Sequence, residues 1–147
     1  MGGNLAEADQ CEHNFIYSIM PHQGDWRMAG TPQMAYMLNV PVLTTKGEGD
    51  KPALPPYVEV DQENVLVEVV KQELDGKDTI IRLYETYGMR SDVTMTLSRK
   101  PAAVKLTNML EDELEDANVD GNQVKFTIKP YEILTFKVKN PTAFKKA

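Results

Sequence analysis

The sequence has few of the residues that most often carry metal or redox chemistry. Its 147 residues include one cysteine, Cys11, and two histidines, His13 and His22. A single cysteine cannot form an internal disulfide, which fits a reducing compartment. Two histidines are few for a zinc site, which needs three or four ligands. We therefore expect no metal ligand and no cofactor in this chain.

Basic charge and long apolar runs are also scarce. The formal net charge is −6, and binding to nucleic acid needs a basic face. No run approaches the roughly 18 apolar residues of a membrane helix. The first residues, MGGNLAEADQ, lack the basic and apolar regions of a signal peptide. The sequence thus predicts no nucleic acid partner, no membrane partner and a cytoplasmic location.

The chain divides into two unequal parts and a linker. Residues 45–56 (TKGEGDKPALPP) are rich in glycine, proline and charge and have no periodicity, which is typical of a linker. Residues 1–44 precede the linker, and residues 57–147 form the main body. With 41% hydrophobic residues, the chain is long enough for one domain with a core.

The main body has the period-two pattern of half-buried strands, with Thr and Lys on the polar face. Asp75-Gly76 and Asp120-Gly121 lie between strand-like runs and favour tight hairpin turns. Short strands at this spacing predict an immunoglobulin-like β-sandwich. The four clear strands are 65–70, 93–98, 124–129 and 134–139, and the less clear ones are 57–60, 79–87 and 102–107.

Residues 1–44 are expected to form one strand and one helix. Residues 13–20, from His13 to Met20, are apolar on both faces, which predicts a strand buried on both sides. Thr31 as the cap and Pro32 at the first position begin a helix over 31–39, which Pro41 ends. Because the strand needs neighbours, we expect it to pair with a second copy of the chain or to fold back under the helix.

His22, Asp25 and Trp26 form a cluster that could bind zinc and stack on a sugar. The alternative is a turn in which Asp25 caps, His22 contacts backbone and Trp26 packs. Further zinc ligands would have to come from Cys11, Glu12 and His13, nine or more residues away. We therefore favour the structural interpretation.

Two other groups of residues allow a functional interpretation. Residues 108–116 carry five acids, but they lack the ligand spacing and glycine of an EF-hand, so a solvated loop or one helical turn is favoured over a calcium site. The second group could form an aromatic surface for sugar, although packing is favoured for each member. Its members are Tyr57, Tyr84, Tyr87 and Tyr131.

No catalytic motif stands out. Nearly all of the acids lie in loops or on polar strand faces, with no sign of the burial that raises the pKa of a glycosidase acid. Neither a G-x-S-x-G elbow nor a phosphate-binding glycine loop occurs. We assign no catalytic, cofactor-binding or metal-binding residue.

Several segments together resemble the C-terminal region of the family 38 glycoside hydrolases, the α-mannosidases. The resemblance extends from Glu7 to Val138, and Cys11 departs from it because a small residue, usually glycine, is expected there. Its most specific phrases are H-x-F-x-Y-x-x-x-P-H, R-L-Y-E and P-x-E-I-x-T-F. The segments are EADQCEHNFIYSIMPHQGDW, QMAYMLNVPVL, VEVDQENVLVEVVKQ, IIRLYETYG, LTNMLEDEL and IKPYEILTFKV.

The resemblance implies a zinc-dependent, retaining hydrolase of α-linked mannosides whose zinc ligands and nucleophile lie in a separate N-terminal domain. This chain would then be a non-catalytic C-terminal structural domain, with the remaining domains of the parent enzyme as partners. Residues 57–147 would be the terminal β-sandwich, and residues 1–44 the tail of a preceding β domain. An independent carbohydrate-binding module and a generic interaction module are the alternatives.

Overall fold

The computed structural model describes residues 10–44, 54–74 and 76–140. They form one helix, α1, and nine strands. The helix is Thr31–Asn39. The strands are β1 Val58–Val60, β2 Val65–Gln72, β3 Thr79–Glu85, β4 Ser91–Leu97, β5 Ala103–Thr107, β6 Glu113–Asp116, β7 Asn118–Asp120, β8 Gln123–Ile128 and β9 Ile133–Lys139.

The strands form two antiparallel sheets. The first contains four strands in the order β1-β4-β8-β7, and the second contains five in the order β2-β3-β9-β5-β6. β2 carries an irregularity between Val67 and Val69, where its register on β3 shifts. The mainly β sandwich expected from the sequence is confirmed.

The core lies between the sheets and is built from alternate residues of their inner faces. Val93, Met95 and Leu97 of β4 are almost completely buried, and the threonines between them are only partly covered. Phe126 and Phe136 meet across the two sheets with ring centroids 4.9 Å apart. The alternation follows from strand geometry, which sends successive side chains to opposite faces.

One of the two expected glycine turns is observed in a modified form. Asp120 is still part of β7 and pairs with Gln123, so the loop consists of Gly121 and Asn122, with Gly121 at a φ of 63°. A glycine with positive φ in a two-residue loop is typical of β-hairpins. The β2–β3 hairpin is also present, but the expected Asp75-Gly76 turn includes Asp75, which lies outside the described residues.

The helix has the expected bounds but a different start. Gly30, at a φ of 62°, is the N-cap, so Thr31 and Pro32 are the first two helical residues and Thr31 is not the cap. The reason is the preceding turn, in which the Thr31 amide donates to the Trp26 carbonyl at 3.0 Å. The helix ends at Asn39. Val40 comes directly before Pro41, and the residue before a proline disfavours helical geometry.

The strand expected at residues 13–20 is not formed. This segment has no regular secondary structure, and Phe15, Ile16 and Tyr17 are 81%, 89% and 79% exposed. An apolar strand is stable only when another strand or sheet covers it. Within the described parts of the chain, no strand pairs with these residues, so the prediction of a strand is wrong for this structure.

Candidate functional site

A buried carboxylate ties together three loops at one end of the sandwich. Glu85, the last residue of β3, is 2% exposed. Its Oε1 accepts hydrogen bonds from the Asn64 side chain at 2.8 Å and the Tyr87 amide at 2.7 Å. Its Oε2 accepts from the amides of Gly88 at 2.8 Å and Tyr131 at 2.9 Å. Four N–H groups thus surround one carboxylate.

These donors keep Glu85 ionised. Burial alone would raise the pKa, but hydrogen bonds from the Tyr131 amide, the Asn64 side chain and the Tyr87 amide outweigh burial and lower it. A glycosidase acid needs the opposite shift, since it must hold a proton near neutral pH. The Glu85 carboxylate is therefore negatively charged, and its role is to hold the surrounding loops in place.

The Glu85 carboxylate also fixes an unusual turn between β8 and β9. The Glu132 amide donates to the Lys129 carbonyl at 3.1 Å, Pro130 is the second residue of the turn, and Tyr131 is the third with a φ of 57°. A positive φ at the third position is typical of a type II turn, where glycine or asparagine is usual. A tyrosine in this conformation is strained and persists only because its surroundings hold it.

The ring of Tyr131 lies against Gly88. A Cβ atom added to Gly88 would be only 2.6 Å from the Tyr131 Oη and 2.8 Å from Cζ. Gly88 also has a φ of 73°, which favours glycine. Although Tyr131 is 66% exposed, its backbone and one side of its ring are thus both fixed.

Tyr131 stands at the edge of a depression of about 620 Å³ between α1 and the outer face of β2, β3 and β9. Tyr84 and Ile133 are directly opposite each other on β3 and β9. The helix contributes Tyr36, whose hydroxyl donates to the Glu68 carbonyl at 3.5 Å. The lining residues are Pro32, Ala35, Tyr36, Asn39, Val40, Glu68, Tyr84, Glu85, Thr86, Tyr131 and Ile133.

The surface of the depression is mostly apolar and aromatic, and its exposed charge is the Glu68 carboxylate rather than a basic group. Burial raises the pKa of Tyr84, and the negative charge of Glu68 adds to that effect. Within the described ranges, no protein group donates a hydrogen bond to the Glu68 carboxylate. The depression therefore offers acceptors and aromatic rings to a ligand.

The cluster of His22, Asp25 and Trp26 forms a turn, as the favoured interpretation predicted. Asp25 Oδ1 accepts from the amides of Arg27 at 2.9 Å and Met28 at 3.0 Å, and these bonds lower the Asp25 pKa. His22 Nδ1 lies 3.4 Å from the Gln23 carbonyl oxygen. No group of three or more potential metal ligands occurs in the described portion of the chain.

Trp26 and Arg27 attach this turn to the sandwich. The Trp26 ring meets Tyr87 edge to face, with centroids 5.6 Å apart, and Arg27 lies over the Trp26 ring at 4.6 Å. Arg27 Nε donates to the Tyr87 carbonyl at 2.9 Å. Gln33 of α1 also reaches the Tyr87 hydroxyl, at 3.2 Å. Trp26, Arg27 and Gln33 therefore fix the turn and the start of α1 to the sandwich around Tyr87.

The acidic stretch at 108–116 is neither a helical turn nor a plain loop. Its last residues form β6 at the edge of the five-stranded sheet. Asn108 Oδ1 accepts from the amides of Leu110 and Asp112 at 2.9 and 3.0 Å, closing the turn before the strand. Glu111, at a φ of 72°, pairs with Lys71 and accepts from the Leu74 amide. These acids bind protein groups, as a structural role requires.

Lysines and acids pair on the outer face of the five-stranded sheet, away from the depression. Lys105 Nζ lies 2.6 Å from Asp116, and Lys139 Nζ lies 2.7 Å from Glu113. Lys137 is 8% exposed and pairs with Glu73, and the hydrogen bond that it donates to the Glu73 carboxylate raises the Lys137 pKa. On this part of the face, the lysine charges are therefore balanced by the carboxylates with which they pair.

The four tyrosines suggested by the sequence do not form one surface. Tyr84 and Tyr131 line the depression. Tyr87 is 8% exposed and belongs to the contacts with Trp26. Tyr57 lines a separate depression of about 750 Å³ with Leu54, Arg99 and Pro101. Sequence reasoning missed Tyr36 and Glu85, although the alternation of β3 places Glu85 on the same face as Leu83.

The fold and the Glu85 network define a β-sandwich domain held together by a buried polar centre. Residues 64–136 match the family described as the glycosyl hydrolases family 38 C-terminal beta sandwich domain. The chain belongs to that family, as the resemblance predicted.

Three curated relatives are α-mannosidases. Alpha-mannosidase 2C1 of Homo sapiens is 32% identical over 136 residues, which cover 88% of this chain and 13% of that protein. Alpha-mannosidase 2C1 of Mus musculus is 30% identical over 134 residues. Alpha-mannosidase G of Dictyostelium discoideum is 30% identical over 142 residues. The chain spans only 12% to 13% of the length of these relatives.

Proposed function

We propose that this chain serves as the non-catalytic C-terminal structural domain of an α-mannosidase, whose intact form hydrolyses α-linked mannosides in glycan catabolism. The observation that carries the proposal is the family match over residues 64–136. The Glu85 network supports a structural role, because its carboxylate is buried, ionised and saturated with donors.

The parent enzyme would supply the catalytic zinc from another domain. Residues 57–147 would be the sandwich, residues 45–56 the linker and residues 1–44 the connection to a preceding β domain. Exposed apolar side chains at Phe15, Ile16 and Tyr17 support a contact with that domain or with a second copy of the chain. The parent enzyme would be cytoplasmic, and its accessory domain would bind carbohydrate. Among the described residues, no helical stretch is long and apolar enough to span a bilayer.

A domain exchange tests the proposal. The segment of human Alpha-mannosidase 2C1 that matches this chain would be deleted, or replaced by this chain. We expect the deletion to abolish soluble, active enzyme and the replacement to restore hydrolysis of an aryl α-mannoside. If the deletion leaves both solubility and activity unchanged, a structural role for the domain is wrong.

A further inference from the structure

We propose that the depression between α1 and the β2–β3–β9 face binds one pyranose unit of a neutral α-mannoside glycan, with its ring stacked on Tyr131. The choice of a mannoside rests on the proposed function. The binding surface itself is argued from the geometry of Tyr131, Tyr84, Tyr36 and Glu68.

The first argument is the fixed orientation of Tyr131. An exposed tyrosine on a turn normally moves freely, and ordering it on binding costs entropy. Here the backbone is held by Glu85 and the ring lies against Gly88, while 66% of the residue stays exposed. A strained aromatic that is fixed without being buried is a preorganised binding surface.

The second argument is the chemistry of the floor. Tyr84 and Tyr36 offer phenol groups, and the Glu68 carboxylate offers two acceptor oxygens. Sugar hydroxyls donate to such acceptors, while the C–H face of a pyranose packs on an aromatic ring. A volume of about 620 Å³ lies within the roughly 300 to 1,000 Å³ typical of small-molecule sites.

The third argument is charge. Glu68 is the charged side chain at the surface of the depression, since Glu85 is buried and its oxygens are occupied by four donors. A negative floor repels phosphates, sulfates and carboxylates, so an anionic glycan is excluded. A quaternary ammonium ion could stack on the rings, but it would leave the phenol hydroxyls and the carboxylate oxygens without hydrogen-bond donors.

The test is a titration of the 147-residue chain with methyl α-mannoside and with an α-linked mannobiose, followed by two-dimensional NMR. We expect saturable shifts at Tyr36, Tyr84 and Tyr131 at millimolar sugar, the affinity range of a small exposed site. Shifts confined to the depression around Tyr57, or no shifts at all, would overturn the inference. Tetramethylammonium is the competing probe, and stronger shifts with it at the same residues would also overturn the inference.

Two variants and one matched control locate the site. Tyr131→Asn removes the ring but keeps a residue that tolerates positive φ, and we expect about tenfold weaker binding. Tyr57→Asn removes an exposed tyrosine outside the depression and should leave binding unchanged. Glu68→Gln, on an exposed side chain, should weaken binding even if Tyr131→Asn disturbs the turn. If Glu68→Gln and Tyr131→Asn both bind the sugar as tightly as the unchanged chain, the site is refuted. Because the domain exchange does not depend on sugar binding, it can succeed while this inference fails.

Discussion

The side chain of Asn64 donates to Glu85 inside the sandwich, with 2.8 Å between Asn64 Nδ2 and Glu85 Oε1. Asn64 is 6% exposed and Glu85 2%, and they belong to the loop before β2 and to the end of β3. The same Asn64 nitrogen lies 3.0 Å from Ser91 Oγ, at the start of β4. One amide thus links the two sheets through Glu85 and Ser91.

Glu85→Gln should strongly destabilise the fold. Glutamine has one acceptor oxygen, and its NH₂ group would face N–H donors that now point at the carboxylate. Leaving buried donors without a partner costs about 1–3 kcal/mol each, so we expect a loss of at least about 3 kcal/mol. Urea unfolding measures this loss, and Glu59→Gln on the exposed edge of β1 is the control. Equal midpoints for the two variants would contradict the structural role of Glu85.

The ionisation of Glu85 should make stability fall in acid. The pKa of Glu85 in the folded chain is lowered from its usual 4.5, so the unfolded chain binds the proton first. The stabilisation is complete above pH 4.5, where both states are ionised, and it is lost as pH falls through the lower folded pKa. Melting temperatures between pH 3 and 7 test this, and Glu85→Gln should flatten the acid limb.

Gly88→Ala and Gly121→Ala should differ in cost, although both glycines have positive φ. Alanine is strained at both positions, by about 1 kcal/mol. At Gly88 the new Cβ would also meet the Tyr131 ring, whereas at Gly121 nothing lies within 4 Å. We expect Gly88→Ala to be the more destabilising by about 1–3 kcal/mol, measured by chemical unfolding. Equal losses would show that the Tyr131 ring moves freely.

Phe136→Ala should cost more than Phe126→Ala. Phe136 is 2% exposed in the core, while Phe126 packs against the core and is only half-buried. Truncation of a core phenylalanine costs about 3–5 kcal/mol, and the shared contact couples the two residues. The double variant should therefore lose less stability than the sum of the single losses, which a double-mutant cycle measures.

Residues 13–20 should promote self-association of this chain when no other domain covers them. Phe15, Ile16 and Tyr17 expose apolar surface in one contiguous run. Light scattering on a size-exclusion column should show a dimer or larger species at high concentration. Replacing Ile16 and Tyr17 by lysine should give a monomer, and a strict monomer from the start would contradict the expectation.

The β-sandwich could be predicted because the alternation of apolar and polar residues is visible within each strand. The pattern predicts β8 to within one residue of its observed ends and β4 to within two, because alternating burial identifies both the strand and the side of it that faces the core. The start of α1 depends on the preceding turn, in which the Thr31 amide donates to the Trp26 carbonyl. Capping preferences do not include this contact, so the prediction of Thr31 as the cap is wrong.

Two members of the site were missed for different reasons. Tyr36 reaches Glu68 only through the docking of α1, which is a non-local contact. The alternation of β3 places Glu85 on the inner face after Ile81 and Leu83, although the general pattern of the acids predicts loops and polar strand faces. A charged residue on the apolar side of a strand pattern indicates a buried ion with dedicated donors.

The acidic strand β6 determines what can join the open side of the five-stranded sheet. All four of its residues are exposed, and three of them are acids. If β6 paired with the β6 strand of a second copy, the acids of the two strands would lie side by side. Their repulsion opposes the growth of a continuous sheet. The charges on this short edge therefore oppose edge-to-edge assembly of the sheet.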